Sequence, residues 1–253
     1  MSGFEQAGSM KHRSAGRSPG RPGSGSHAGP ILFYGDPHEQ WEPLVDVVLY
    51  SRPRPAAVVI LGDCGLDVPL RRKLAAIWDL VPAWHWIIGN HDVDSLAGYE
   101  FLADSHPEGD IGGRIVHPGG VAVAGLGGVY AGSIWSPRFG GTRDAPPACQ
   151  SRKDYLRQVK PADRFRNGLP LKRRATIFPE DHHALRRGRA DVLVTHEAPS
   201  SHEHGFAGID ELAHAMRVRL VVHGHHHHSY EGRTADGIPV RGLGIAEPFL
   251  FKE

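Results

Sequence analysis

Five short apolar runs in this chain each stop at side chains with metal-ligand chemistry, in order along the sequence. Residues 31–34 lead into Gly35, Asp36, Pro37 and His38; residues 58–61 lead into Gly62 and Asp63. Residues 86–88 lead into Gly89, Asn90, His91 and Asp92; residues 192–194 into Thr195 and His196; residues 220–222 into His223, Gly224, His225, His226 and His227. An apolar run bounded by Gly and polar residues reads as a strand buried on both faces, the habit of parallel sheets. In open α/β sheets the ligand crevice lies beyond the carboxyl ends of such strands. Every polar set sits at that end, which points to one site assembled from distant stretches.

The chain has 253 residues, 40% hydrophobic and 23% charged, enough for one large domain or two small ones. No stretch approaches the ~18 consecutive apolar residues of a membrane span. The N-terminus lacks the apolar core of a secretory signal. Two cysteines, Cys64 and Cys149, argue against a disulfide framework and fit a reducing compartment, so a cytoplasmic protein is expected. Net charge is +1 but unevenly spread: residues 131–178 carry eleven Lys/Arg against three acids. Such a basic segment suits either an anionic ligand or a solvated insertion.

Residues 1–29, rich in Gly, Ser, Pro and Arg, are expected to be a disordered tail, with the domain spanning residues 30–253. Trp41, Leu44, Val45, Val48 and Leu49 recur at helical spacing between the first two strands. Leu70, Leu74, Ile77, Trp78 and Val81 predict a helix between the second and third. This βαβαβ rhythm implies a parallel sheet. A further strand is expected within residues 121–130 and a helix from about Glu180 to Gly188. Ile209, Leu212, Ala213 and Met216 mark another helix, and closing strands follow the Asp236-Gly237 turn. Residues 131–178 lack periodicity beyond one short helix near residues 154–159, and a long loop of this kind suggests a lid.

Asp36, His38, Asp63, Asn90, His196, His225 and His227 offer carboxylate, imidazole and amide oxygen without thiolate. A mixed N/O set favours Mn, Fe, Zn or Ni over a cysteine-rich structural zinc. Asp36 and His38 are two apart, as are His225 and His227, so in extended chain each pair points to one side. Seven ligands exceed the needs of one tetrahedral ion, and two ions sharing a bridging carboxylate account for the surplus. Two cations ~3.5–4 Å apart can clamp a phosphoryl group and hold an activated hydroxide. His91 is the candidate to protonate the leaving alkoxide, with Asp92 expected to fix its tautomer.

Taken singly, these residues have blander readings. Asp36 and Asp63 can cap helices, Asn90 can sit in a turn, and His196 can be an ordinary buried histidine. Within the tract, His226, pointing the other way in extended chain, is expected to stand behind the ligands or to face solvent, and His223 to be structural or substrate-facing. Cys64 is expected to be a small buried hydrophobe, and His182, His183, His202 and His204 to lie on the surface. Gly125, Gly127 and Gly128 suggest a bulge or a close backbone approach rather than a phosphate loop.

The ordered set Asp36-x-His38, Gly62-Asp63, Gly89-Asn90-His91-Asp92, His196 and Gly224-His225-x-His227 resembles the calcineurin-like metallophosphoesterase superfamily. The resemblance implies a four-layer α/β/β/α sandwich with a dinuclear centre. Carried over by position, one ion takes Asp36, His38, Asp63 and His227, and the other takes Asp63, Asn90, His196 and His225. It implies two divalent ions, with Mn favoured over Fe or Zn, and hydrolysis of a phosphate mono- or diester by metal-activated hydroxide. The Ser/Thr protein phosphatase branch fits less well, since Cys64-Gly65 and Asp92 depart from its motifs. A phosphorylated small molecule or nucleotide is the expected substrate, with Arg138, Arg143 or Arg152 as its phosphate contact. A catalytically silent metal-binding scaffold and a nucleic-acid-binding protein are the rival readings.

Overall fold

The computed structural model describes Met1 and residues 29–252, so residues 2–28 of the expected N-terminal tail lie outside the described residues. The chain runs β1 (Ile31–Gly35), α1 (Glu42–Tyr50), β2 (Ala57–Ile60), α2 (Leu70–Lys73), β3 (Trp84–Trp86) and α3 (Leu96–Tyr99). It continues through β4 (Ile115–Val116), β5 (Val123–Leu126), α4 (Arg152–Leu156), α5 (Pro179–Leu185) and β6 (Val192–Thr195). It ends with α6 (Ala207–Met216), β7 (Leu220–His223), β8 (Tyr230–Arg233), β9 (Pro239–Gly242) and β10 (Glu247–Phe251). These strands form two mixed sheets, ordered β10-β1-β2-β3 and β4-β5-β6-β7-β9-β8. The pairs β1/β2, β2/β3, β5/β6, β6/β7 and β7/β9 are parallel; β10, β4 and β8 pair antiparallel at the edges.

Side-chain alternation builds the layers. In β1, Leu32 and Tyr34 share a core with Leu44 and Val48 of α1 and with Leu70 and Leu74. Their neighbours Ile31 and Phe33 point the other way, into a core shared with Val123, Val194 and Val222 of the second sheet. On that sheet's far face Ala124, Leu126, Leu193 and Val221 pack with Leu185, Ile209, Leu212 and Met216. The result is α/β/β/α. Full burial of each Val, Leu, Ile or Phe is worth ~1.5–3 kcal/mol, so strands buried on both faces give a rigid base to the turns at their ends.

Three local expectations change. The apolar face from Leu70 to Val81 is buried, but its backbone is α2, a turn and a short 3-10 segment (Trp78–Leu80) rather than one helix. Pro82 has no N–H to give the Trp78 carbonyl, and the Trp84 indole takes that carbonyl instead at 2.9 Å. Residues 131–178 carry their own small core of Ile134, Cys149, Leu169 and Phe178, with α4 capped by Ser151. β8, not foreseen, closes a hairpin onto β9. Gly125 and Gly128 are needed for close backbone approach: a Cβ would meet Ile111 O at 2.6 Å and Ala175 O at 2.6 Å.

Candidate metal centre

Four of the five apolar runs form the bulk of a strand, β1, β2, β6 and β7, while residues 86–88 begin at the last residue of β3 and run past it; the side chains that follow these strand ends come together. The chain turns sharply there. Asp36 (φ 34°), His38 (φ 40°), Asp63 (φ 52°), His225 (φ 72°) and His227 (φ 55°) all adopt left-handed backbone. Each such non-glycine residue costs ~1–3 kcal/mol, a strain that collects at functional sites. The extended-chain argument for the pairs 36/38 and 225/227 is therefore corrected: tight turns, not strand alternation, aim these side chains. Glycines make the room. A Cβ on Gly89 would lie 2.2 Å from Asp63 Oδ1, and one on Gly224 would lie 2.6 Å from Asp36 Oδ1.

Two groups of ligand atoms result, each with its atoms within 4.8 Å of one another: His38, Asp63 and His227, and Asp63, His196 and His225. Asp63 belongs to both. His38 Nε2 and His227 Nε2 face each other at 2.9 Å. His196 Nδ1 donates to Leu61 O at 2.7 Å, which leaves Nε2 aimed at Asn90 Oδ1 (3.1 Å) and Asp63 Oδ2 (3.3 Å). Asp36 lies outside both groups. Its Oδ2 accepts from His225 N at 2.7 Å and its Oδ1 is 3.6 Å from His196 Nδ1.

The donor set fits divalent cations. Asp36 Oδ1 and Asp63 Oδ2 are buried without a hydrogen-bond partner, a state that costs several kcal/mol unless a cation compensates. Carboxylate oxygens, an amide oxygen and imidazole lone pairs converge, and acceptors alone do not hold one another. The carboxylates and imidazoles also shift one another's proton affinity. Burial pushes Asp36 up to about 7. Burial opposes a charge on His196, yet Asp63 and Asp36 hold it up at about 10. Burial would raise Asp63 too, but His196 keeps it below the usual carboxylate range. Burial also lowers His225, to about 4.

His91 is an exposed neighbour of this cluster, its ring 5.6 Å from that of His38. Its backbone N–H donates to Asp63 Oδ1 at 2.7 Å. The expected partnership with Asp92 is corrected. Asp92 is buried and accepts from the N–H groups of Asp63 (2.9 Å), Cys64 (2.8 Å) and Gly89 (2.8 Å), so it ties two ligand-bearing turns together. Asp94 meets His91 Nδ1 instead, at 2.7 Å, and this hydrogen bond raises the His91 pKa.

The arginines divide. Arg138 packs over the Phe206 ring, and its charge helps lower Glu197, which burial pushes up to about 7. Arg143 donates to the Phe139 carbonyl. Arg152 is committed to Glu180 (2.9 Å) and to both oxygens of Asp181 (2.6 and 3.0 Å), so its expected substrate contact gives way to a structural one.

Three residues escaped the sequence reading. Glu197, next to His196, is buried beside His225; Asp94 partners His91; and His182, expected on the surface, is buried with Nε2 2.7 Å from Tyr130 Oη. Adjacency to His196 was the only signal for the first. Cys64 is fully buried and its thiol is pushed well up by burial, as expected of an inert residue. His223 is buried between Gly224 O and Tyr230 Oη, each 2.8 Å away, as expected of a structural residue. No helix among the described residues is long and apolar enough to cross a membrane.

Comparison with known proteins agrees with this architecture. The chain is 35% identical over 219 residues to an uncharacterized protein of Haemophilus influenzae, covering 85% of this chain and 91% of that one. The crystal structure of TT1561 of Thermus thermophilus superposes with a TM-score of 0.51 at 15% identity, covering 87% of this chain and 90% of that one. Residues 29–229 match the calcineurin-like phosphoesterase family, and the chain belongs to it.

Proposed function

We propose that this protein is a dinuclear-metal phosphoesterase that hydrolyses a phosphate mono- or diester. The observation that carries the reading is the shared Asp63: one buried carboxylate serves two adjoining clusters of ligand atoms. His38, Asp63 and His227, with the Asp36 carboxylate behind them, would hold one ion. Asp63, Asn90, His196 and His225 would hold the other. When bound, such a pair supplies Lewis acidity and activates water at neutral pH; Mn is the first choice, with Fe or Zn compatible with the same N/O donors.

The chain's own residues do the rest. His91, outside the clusters and open to solvent, donates its Nδ1–H to Asp94, and this contact favours the imidazolium form, whose second proton, on Nε2, is the one to give to the leaving oxygen. Asp92 sets the spacing of the turns that carry Asp63 and Asn90. Arg138, on the basic segment and close enough for its charge to act on Glu197, would be the contact for a substrate oxygen. Elsewhere on that segment arginines are used internally: Arg152 on Glu180 and Asp181, Arg157 on Asp154, Arg166 on Glu100 and Asp104. That commitment disfavours a polyanion-binding role for the insertion.

The test is hydrolysis of p-nitrophenyl phosphate and bis-p-nitrophenyl phosphate by chelator-stripped protein before and after Mn is restored. Activity should return with metal, and His91→Ala should keep its metals while losing turnover. Hydrolysis that ignores chelation would reject the reading.

A further inference from the structure

Beyond the two clusters that share Asp63 lies a third. Glu197, His225 and His226 bring one ligand atom each within 4.8 Å of one another. Glu197 is only 5% exposed, an expensive place for a carboxylate without compensation. Its Oε1 accepts from Tyr130 N at 3.2 Å, while Oε2 faces the His225 ring, 3.9 Å from Nε2. His226, expected to stand behind the ligands or to face solvent, has its Nε2 buried with no hydrogen-bond partner. The His226 ring is held there by stacking on His202, with centroids 3.9 Å apart and planes at 14°. A buried carboxylate and an imidazole with an unpartnered nitrogen thus meet at His225. Two imidazoles and one carboxylate suit a borderline divalent ion.

We propose that Glu197 and His226, with His225 between them and the pair, hold a third divalent cation. The proposal rests on the dinuclear reading, since it counts a third ion against two. His225 falls in both the second group and this one, and it would reach two ions as an imidazolate, one nitrogen to each, with its N–H proton released to solvent. The exposed His228, which stacks on Tyr230, takes no part.

The test is equilibrium dialysis of the chelator-stripped full chain against Zn²⁺ and, separately, Mn²⁺, with bound metal counted by mass spectrometry. Wild type should saturate at three ions per chain. Glu197→Gln and His226→Phe, the latter keeping the stack on His202, should each saturate at two. His228→Ala should still hold three. A wild type that saturates at two overturns the proposal and leaves the pair standing, whereas one or none rejects the pair as well. Three ions retained in both Glu197→Gln and His226→Phe, or an ion lost only in His228→Ala, would mark capture by the histidine tract and overturn it. Circular dichroism of each variant checks that the fold survives.

Discussion

Replacing Asp92 by Asn separates two roles that adjacency in sequence would merge. The Asp92 carboxylate takes three backbone donors: Asp63 N and Gly89 N on Oδ2, Cys64 N on Oδ1. An amide has one acceptor oxygen. If it keeps the two contacts at Oδ2, its NH2 is set against the Cys64 N–H, leaving a buried donor orphaned at ~1–3 kcal/mol. The two surviving bonds lose their charge assistance, which brings the total to about 3 kcal/mol. For a domain of this size that is a fall in Tm of roughly 6–12 °C. Asp94→Asn should behave oppositely. The His91–Asp94 pair is exposed, with side chains 54% and 55% accessible, so its loss costs well under ~1 kcal/mol of stability. Because Asp94 raises the His91 pKa, removing it should move the alkaline limb of kcat/KM to lower pH. Activity well below that limb should hardly change. Thermal unfolding in chelator and pH–rate profiles measure the two effects. A stable Asp92→Asn, or an Asp94→Asn whose alkaline limb stays put or moves up, would refute the assignment.

Other consequences come from the same geometry. Gly224→Ala forces a methyl against both Asp36 oxygens, at 2.6 and 2.7 Å; overpacking of ~1–3 kcal/mol should appear as a lower urea midpoint and weaker metal binding by calorimetry. Adding Mn to stripped protein at about 100 times Kd should stabilise it by ~2.7 kcal/mol, read as a higher Tm; no shift would count against the site. Arg152→Gln should lower stability by about 1 kcal/mol while leaving KM for aryl phosphates unchanged, since its guanidinium is held by Glu180 and Asp181.

Much of this architecture was legible because strands buried on both faces write themselves as plain apolar runs. Ile31 to Tyr34, all fully buried, and Val192 to Val194 are such runs, and each is succeeded at once by a candidate ligand. The turns at the strand ends are harder to read. Left-handed backbone at Asp36 or His225 leaves no pattern, since Asp and His pay a steric cost there that only the assembled site offsets. The partner of His91 was misassigned for a geometric reason. Residues His91–Val93 form a 3-10 turn, in which positions i and i+3 eclipse, so Asp94 lies beside His91 while Asp92 points inward. Glu197 was missed because a single acid carries no period, and its meaning depends on His225, contributed by another strand end. The helix that starts at Leu70 stops at Lys73, where residues 74–77 carry neither Gly nor Pro, so its apolar spacing could not show that end; Pro82 removes only the N–H that the Trp78 carbonyl would take.

The central claim is that Asp63 bridges two cations, and anomalous diffraction from crystals soaked in Mn²⁺ addresses it directly. The account predicts one peak bounded by His38, Asp63 and His227 and another bounded by Asp63, Asn90, His196 and His225, with the Asp63 carboxylate touching both. Peaks confined to the surface histidines, or ions that leave Asp63 uncoordinated, would contradict it.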